Sequence, residues 1–355
     1  MPPTPLGIAG AILALLLVLA APGNAAPGAA GAAPGQVSLD GPWPEARPGA
    51  GIEGQAVTFP SRSPFMPADM ADPTAAPETM AMGTLFLPPG DTPARSLAAV
   101  VLLHGSGGVL AARELTYGAQ LARMGVAALV VDSFAARRDL ATGFVQRILE
   151  ITESMIVADA YAGLRYLAGL PTVDPGRVAL VGFSYGGMAA MYALNAGVAG
   201  LMAPDGLRFA AHASFYGPCI ARFEDTRTTG APMLMLWGDA DELIDAARCE
   251  TVATEMREGG SRVETRVYAG AVHQWDGPWG RRPTGRLLTN CRFAVGSDGT
   301  VRDENTGFPM AGALMRKALL ALCVEDRPYQ IGRDDAVRAL STRDLGRFLD
   351  AAIGG

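Results

Sequence analysis

Gly182-Phe183-Ser184-Tyr185-Gly186-Gly187 stands between the apolar run VALV and a stretch of helix formers. This is G-x-S-x-G in the strand–turn–helix setting of a nucleophile elbow. The chemistry accounts for the spacing. Small residues at −2 and +2 let the helix pack close to the strand. The turn lifts the serine hydroxyl to the helix N-terminus, where developing negative charge is favoured. Taken alone, the hexapeptide is also a Gly-rich turn with a capping serine, so the partners decide. Serine needs a base, and the chain has only three histidines, His104, His212 and His273. His104 lies upstream of the serine, in His104-Gly105-Ser106-Gly107-Gly108. His212 falls inside an expected strand and is read as a hydrogen-bonded core histidine. The chain order serine, acid, histidine leaves His273, which follows Ala269-Gly270-Ala271-Val272.

The acid is expected at the end of an intervening strand. Met233–Gly238 (MLMLWG) is that strand, and Asp239, Asp241 and Glu242 follow it. Asp241 is preferred, because a turn past Gly238 can swing its carboxylate back toward the imidazole and fix its tautomer. Asp239 is the alternative, read as a loop or helix-capping residue. Two backbone amides are expected to form an oxyanion hole. One is that of Tyr185, after the nucleophile; the other is that of Ser106 or Gly107, in HGSGG. That loop lacks the Lys-Ser/Thr of a phosphate-binding loop, so nucleotide binding is not expected. Trp275, Trp279, Phe134 and Phe183 lie near these residues in sequence and are read as pocket lining or core alike. Met188 and Met191 are read as core.

The elements that position these residues follow from periodicity. Met82–Leu87, Leu97–Leu103, Val126–Val131, Arg177–Gly182, Ala210–Tyr216, Pro232–Trp237 and Arg262–Tyr268 read as strands, several of them continuous apolar runs of the kind buried on both faces. Arg113–Met124, Leu149–Leu170, Ser184–Asn195 and Ile244–Arg257 read as helices between them. The alternation predicts an α/β fold with a mostly parallel sheet, whose ligand crevice lies at the carboxyl ends of the strands. Residues 274–310 read as a long loop with a small hairpin around Gly296–Thr300. Helices are expected at Ala311–Cys323 and Asp334–Ala352, the latter burying Val337, Leu340, Leu345, Phe348 and Leu349.

The chain of 355 residues is 49% hydrophobic and carries a formal charge of −6 without a Lys/Arg run, which disfavours wholesale disorder and nucleic-acid binding. Residues 6–22 are apolar and uncharged, and Gly23-Asn24-Ala25 places small residues at −3 and −1 of a cleavage site. Residues 1–25 are therefore read as a signal peptide, with an uncleaved anchor as the alternative. The expected location is periplasmic or secreted, with no membrane association after cleavage. Residues 26–51, rich in Ala, Gly and Pro, are expected to be a flexible leader, and 52–355 a single domain with 274–355 as a C-terminal extension.

VVLLHGSGG, VVDSF, VALVGFSYGG, MLMLWGDADEL and AGAVHQWD, in that order, resemble the dienelactone hydrolase family, in its secreted bacterial branch. The resemblance spans roughly residues 55–355. It implies an α/β-hydrolase fold, with Ser184, Asp241 and His273 as a catalytic triad. The best-known members carry a cysteine nucleophile; serine here favours general carboxylic esters or lactones as substrates. No cofactor is implied. No metal site is expected either, as HExxH and CxxC are absent. GFSYGG is also similar to the elbow of prolyl-oligopeptidase-type peptidases, but about 180 residues precede Ser184, too few for a large propeller plus the core strands. A third reading is a non-catalytic binding module on the same fold. The four cysteines, Cys219, Cys249, Cys291 and Cys323, allow three fully bridged pairings. An exported chain favours disulfides, and nearest-neighbour pairing, Cys219–Cys249 and Cys291–Cys323, closes loops of similar length. Neither the substrate nor the oligomeric state is set by these patterns.

Overall fold

The computed structural model describes residues 38–44 and 52–354. In chain order the strands are β1 (Gln55–Arg62), β2 (Glu78–Phe86), β3 (Leu97–Leu103), β4 (Ala127–Val131), β5 (Val173–Phe183), β6 (Ala211–Phe215), β7 (Ala221–Phe223), β8 (Met233–Gly238) and β9 (Val263–Tyr268), then four of three residues each, β10 (Arg282–Thr284), β11 (Phe293–Val295), β12 (Val301–Asp303) and β13 (Tyr329–Ile331). The helices are α1 (Thr116–Arg123), α2 (Phe144–Glu150), α3 (Glu153–Ala168), α4 (Tyr185–Leu194), α5 (Ala196–Met202), α6 (Ala246–Glu258), α7 (Ala313–Cys323) and α8 (Asp335–Ile353).

Eight strands form one sheet in the order β1-β2-β4-β3-β5-β6-β8-β9. Pairing is antiparallel from β1 through β2 to β4 and parallel from β4 to β9. The apolar runs explain its central place. In β3, Ala99, Val101 and Leu103 enter the core on one face and Ala98, Val100 and Leu102 the core on the other. The first core is closed by α3, α4, α5 and α6, and the second by α1 and α8. A strand with both faces covered has no solvated side, and so its sequence shows no alternation.

Several elements differ from the periodicity reading. The helix expected over 149–170 is two helices, broken at Ile151-Thr152, because the Thr152 hydroxyl accepts from Met155 N–H at 3.4 Å and caps α3. The helix expected from Arg113 opens with a wide π-type turn, Ala111–Leu115, which buries both Arg113 and Glu114. On α8 the expected buried face holds except at Leu340, which is 48% exposed. The hairpin expected around 296–300 is the β11–β12 turn, closed by Gly296 N–H to the Thr300 carbonyl at 2.8 Å.

Cys219 is bonded to Cys249 and Cys291 to Cys323, with Cα–Cα distances of 5.2 and 4.9 Å. The signal segment lies outside the described residues. So does most of the expected leader, but 38–44 is packed, not free. Leu39 is buried, Trp43 stands edge-on to Tyr117 at 5.5 Å, and the Pro44 carbonyl accepts from Gln120 at 2.7 Å. These are two of the few large apolar side chains in that stretch, and burying them offsets the ordering entropy. No helix among the described residues is long and apolar enough to cross a membrane.

Candidate active site

Ser184 lies between β5 and α4 at φ 53° and ψ −111°, a conformation that L-residues rarely adopt. The neighbouring glycines make it attainable. A Cβ on Gly182 would stand 2.0 Å from the Gly186 carbonyl oxygen, and one on Gly186 would stand 2.5 Å from that of Leu103. Ser184 N–H donates to the Phe215 carbonyl at 2.8 Å, tying the turn to β6. The hydroxyl is left free of any capping role and faces His273, whose Nε2 is 2.8 Å from Oγ.

His273 is fully buried, and its Nδ1 is 2.7 Å from Asp241 Oδ2. A carboxylate only accepts, so Nδ1 carries the proton and Nε2 is left to accept from the serine. The other oxygen of Asp241 accepts from Leu243 N–H at 3.0 Å. Gly238 allows this meeting of loops: a Cβ there would fall 2.0 Å from the Ala271 carbonyl oxygen, so only glycine lets the end of β8 reach the histidine loop. Asp239 points elsewhere, accepting from Gly270 N–H at 2.6 Å.

The other two histidines are engaged in structure. His104 Nε2 accepts from Ser133 N–H at 3.2 Å, so Nδ1 donates to the Gly105 carbonyl at 2.7 Å and shapes the loop it begins. That loop turns back through Gly108 N–H to the Gly105 carbonyl at 3.0 Å. Gly105 stands against Ser184, its Cβ position 3.3 Å from Ser184 Cβ; Ser106 follows half-buried and Gly107 is exposed. His212 is buried in β6 with Nδ1 on the Ala190 carbonyl at 3.1 Å, and burial lowers its pKa to about 4. Of the aromatic residues near the site in sequence, Trp275, Phe183 and Phe134 are buried and Trp279 is half-buried. Met188 and Met191 are core.

Several supporting residues were not singled out in sequence. Tyr216, at φ 41° directly after β6, sets its ring edge-on to His273 with centroids 4.8 Å apart. Its hydroxyl donates to Asp276, which also accepts from the Tyr117 hydroxyl at 3.2 Å. Arg113 Nη1 reaches the Tyr216 hydroxyl at 3.4 Å. Burial above all, and then Asp276, push the Tyr216 phenol well above its ordinary pKa, so it stays a neutral donor. Tyr329 also stands edge-on to His273, at 5.5 Å between centroids, and burial followed by the Asp241 charge pushes its phenol up to about 12. The histidine loop is held further by Gly332 N–H on the His273 carbonyl at 3.0 Å, Asp334 N–H on that of Trp275 at 2.8 Å, and the Trp275 indole on Ser341 at 3.0 Å. Asp276 was legible only as the last letter of AGAVHQWD. Nothing in local pattern pairs it with Tyr117, 159 residues away.

A model of the dienelactone hydrolase family matches residues 83–278. Among solved structures, esterase 2 of Thermogutta terrifontis phosphoramylated by tabun superimposes with a TM-score of 0.50 at 18% identity, covering 77% of this chain and 90% of that one. The same esterase with butyrate bound gives 0.49 at 17% identity, with 77% and 90% covered. A candidate dienelactone hydrolase of Klebsiella pneumoniae gives 0.43 at 18% identity, with 62% and 88% covered. None of the curated proteins matches this chain. The architecture is that of the α/β-hydrolases.

Proposed function

The chain belongs to the dienelactone hydrolase family and is a carboxylic ester hydrolase, and from that premise we propose that it works through a Ser184–His273–Asp241 triad and an acyl-enzyme. The observation that carries the reading is the unbroken hydrogen-bonded line from Ser184 Oγ through His273 to Asp241, at 2.8 and 2.7 Å, on an elbow whose serine is at positive φ.

Ser184 attacks the ester carbonyl carbon as His273 Nε2 takes its proton. Asp241 holds the Nδ1 proton and stabilises the imidazolium. The oxyanion sits at the amide of Tyr185, at the start of α4, and at that of Ser106 or Gly107, in the loop that Gly105 brings against Ser184. His273 then protonates the leaving alkoxide. Water, deprotonated by the same nitrogen, attacks the acyl-enzyme, and its collapse returns Ser184 and frees the acid. The substrate class is a small carboxylic ester or lactone. We further propose that 1–25 is a cleaved signal peptide and that the mature protein, one domain to which 38–44 is docked, is periplasmic or secreted; two disulfides support an oxidising compartment.

The test is turnover of short p-nitrophenyl esters together with covalent labelling by a fluorophosphonate. Wild type is expected to do both. Ser184→Ala is expected to lose labelling and to lower kcat by about 10⁴–10⁶-fold. A wild-type protein that neither turns over such esters nor takes up the label overturns the reading.

A further inference from the structure

The residue after the nucleophile is fastened from a distance. The Tyr185 phenol oxygen lies 2.9 Å from the Ile151 carbonyl and 3.2 Å from Glu153 Oε2, and it accepts from Arg316 Nη2 at 3.3 Å. Arg316 also grips Glu153 through two nitrogens, at 3.2 and 2.8 Å, and donates through Nε to the Ile148 carbonyl at 3.1 Å. Glu153 is the first residue of α3, and Ile148 lies in α2. All three side chains are buried.

Arg316 belongs to α7, beyond residues 83–278 that the family model matches. The helix that carries it ends at Cys323, bonded to Cys291. A buried ion pair with a phenol attached is a costly way to join helices, since desolvating both charges offsets most of their attraction. Its location gives it a use. Ser184 holds a strained backbone, and such a conformation persists only where the surroundings over-determine it. The serine makes no capping hydrogen bond, and the first turn of α4 has no acidic side chain to fix the helix start. The Tyr185 side chain is the first anchor after the strained residue, and the amide of the same residue is the oxyanion donor in the function proposed above.

We propose that Arg316, with Glu153, is a positioning residue for catalysis: through the Tyr185 hydroxyl it holds the Tyr185 amide where the oxyanion develops. The inference rests on the hydrolase reading. A donor that matters only when the oxyanion forms acts on kcat and leaves ground-state binding alone.

Two variants test it on the full-length protein. In the first, Arg316→Met is combined with Glu153→Gln, so that no lone carboxylate is left buried. In the second, Tyr185→Phe removes one hydroxyl and keeps the ring, which serves if the first does not fold. The double variant is expected to lower kcat about 10–100-fold and Tyr185→Phe about 3–10-fold, below the 10²–10³ of a lost donor. KM should stay within about twofold, and affinity for an arylboronic acid, which forms a tetrahedral serine adduct, should fall by the same factor as kcat/KM. Folded variants with unchanged kcat, or with lowered kcat and unchanged boronate affinity, overturn the inference while an active wild type leaves the hydrolase reading standing. An inactive wild type overturns both.

Discussion

Three histidines differ by what their two ring nitrogens meet. His273 has a carboxylate on one side and a hydroxyl on the other; His104 has a backbone N–H and a carbonyl; His212 has one carbonyl and an Nε2 with no partner. Scarcity and chain order single out His273 in the sequence, and a turn past Gly238 points to Asp241. The partners across space were not legible, because Tyr216, Tyr329 and Arg316 reach the site through the fold and carry no local motif. His212 also sets a pH dependence. Burial lowers its folded pKa from 6.5 to about 4. As pH falls below about 6.5 the unfolded chain takes up a proton that the folded state refuses, so stability drops until pH nears the folded value. Between about pH 7.5 and about pH 4.5 this one group should remove about 2–3 kcal/mol. His212→Asn, whose amide nitrogen stands where Nδ1 does and can still donate to the Ala190 carbonyl, should lose correspondingly less than wild type over the same interval. Urea unfolding at the two pH values gives the difference, and an equal loss in both proteins would contradict it.

Legibility among the elements tracked length and burial. β3, β4 and β8 are continuous apolar runs, and their places follow from that. β1, with Pro60 in an antiparallel edge pair, and β7, β10 and β13, of three residues each, carry too little pattern to be read. The missed β13 pairs with β10, bridges His273 through Ile331 and brings Tyr329 to its ring. The disulfides act at this scale also. Cys219–Cys249 ties the segment after β6 to α6, and Cys291–Cys323 ties the segment before β11 to α7. With sequence separations of 30 and 32, each is expected to contribute about 3–4 kcal/mol in the chain-entropy model. Replacing Cys291 and Cys323 together by serine should lower the unfolding free energy by about that amount, and urea titration of the oxidised proteins measures it. A loss under about 1 kcal/mol would mean that α7 is held by its other contacts, among them the Arg316–Glu153 pair.

The whole molecule is larger than the region that identifies it. Residues 83–278 contain Ser184, Asp241 and His273, but part of the hold on the histidine loop comes from 329–341. The opposite end is also engaged, since Leu39 and Trp43 pack on the α1–α8 side of the sheet. The low content of large side chains in 26–51 gave no sign of this, because two apolar residues suffice when a groove awaits them. A chain that begins at Ile52 is therefore expected to be less stable than one that begins at Gln36 by about 2–4 kcal/mol. Paired urea unfolding curves decide it, and coincident midpoints would show that the docked segment contributes nothing.

The hold of residues 329–341 on the histidine loop sets an order in time. A polypeptide is made from its N-terminus, so the elbow and Asp241 are present while the strand and helix that clamp His273 have still to be synthesised. Ser184 is made early, and His273 is the later of the two to be secured. A chain cut short before residue 329 thus lacks the strand and helix that clamp His273.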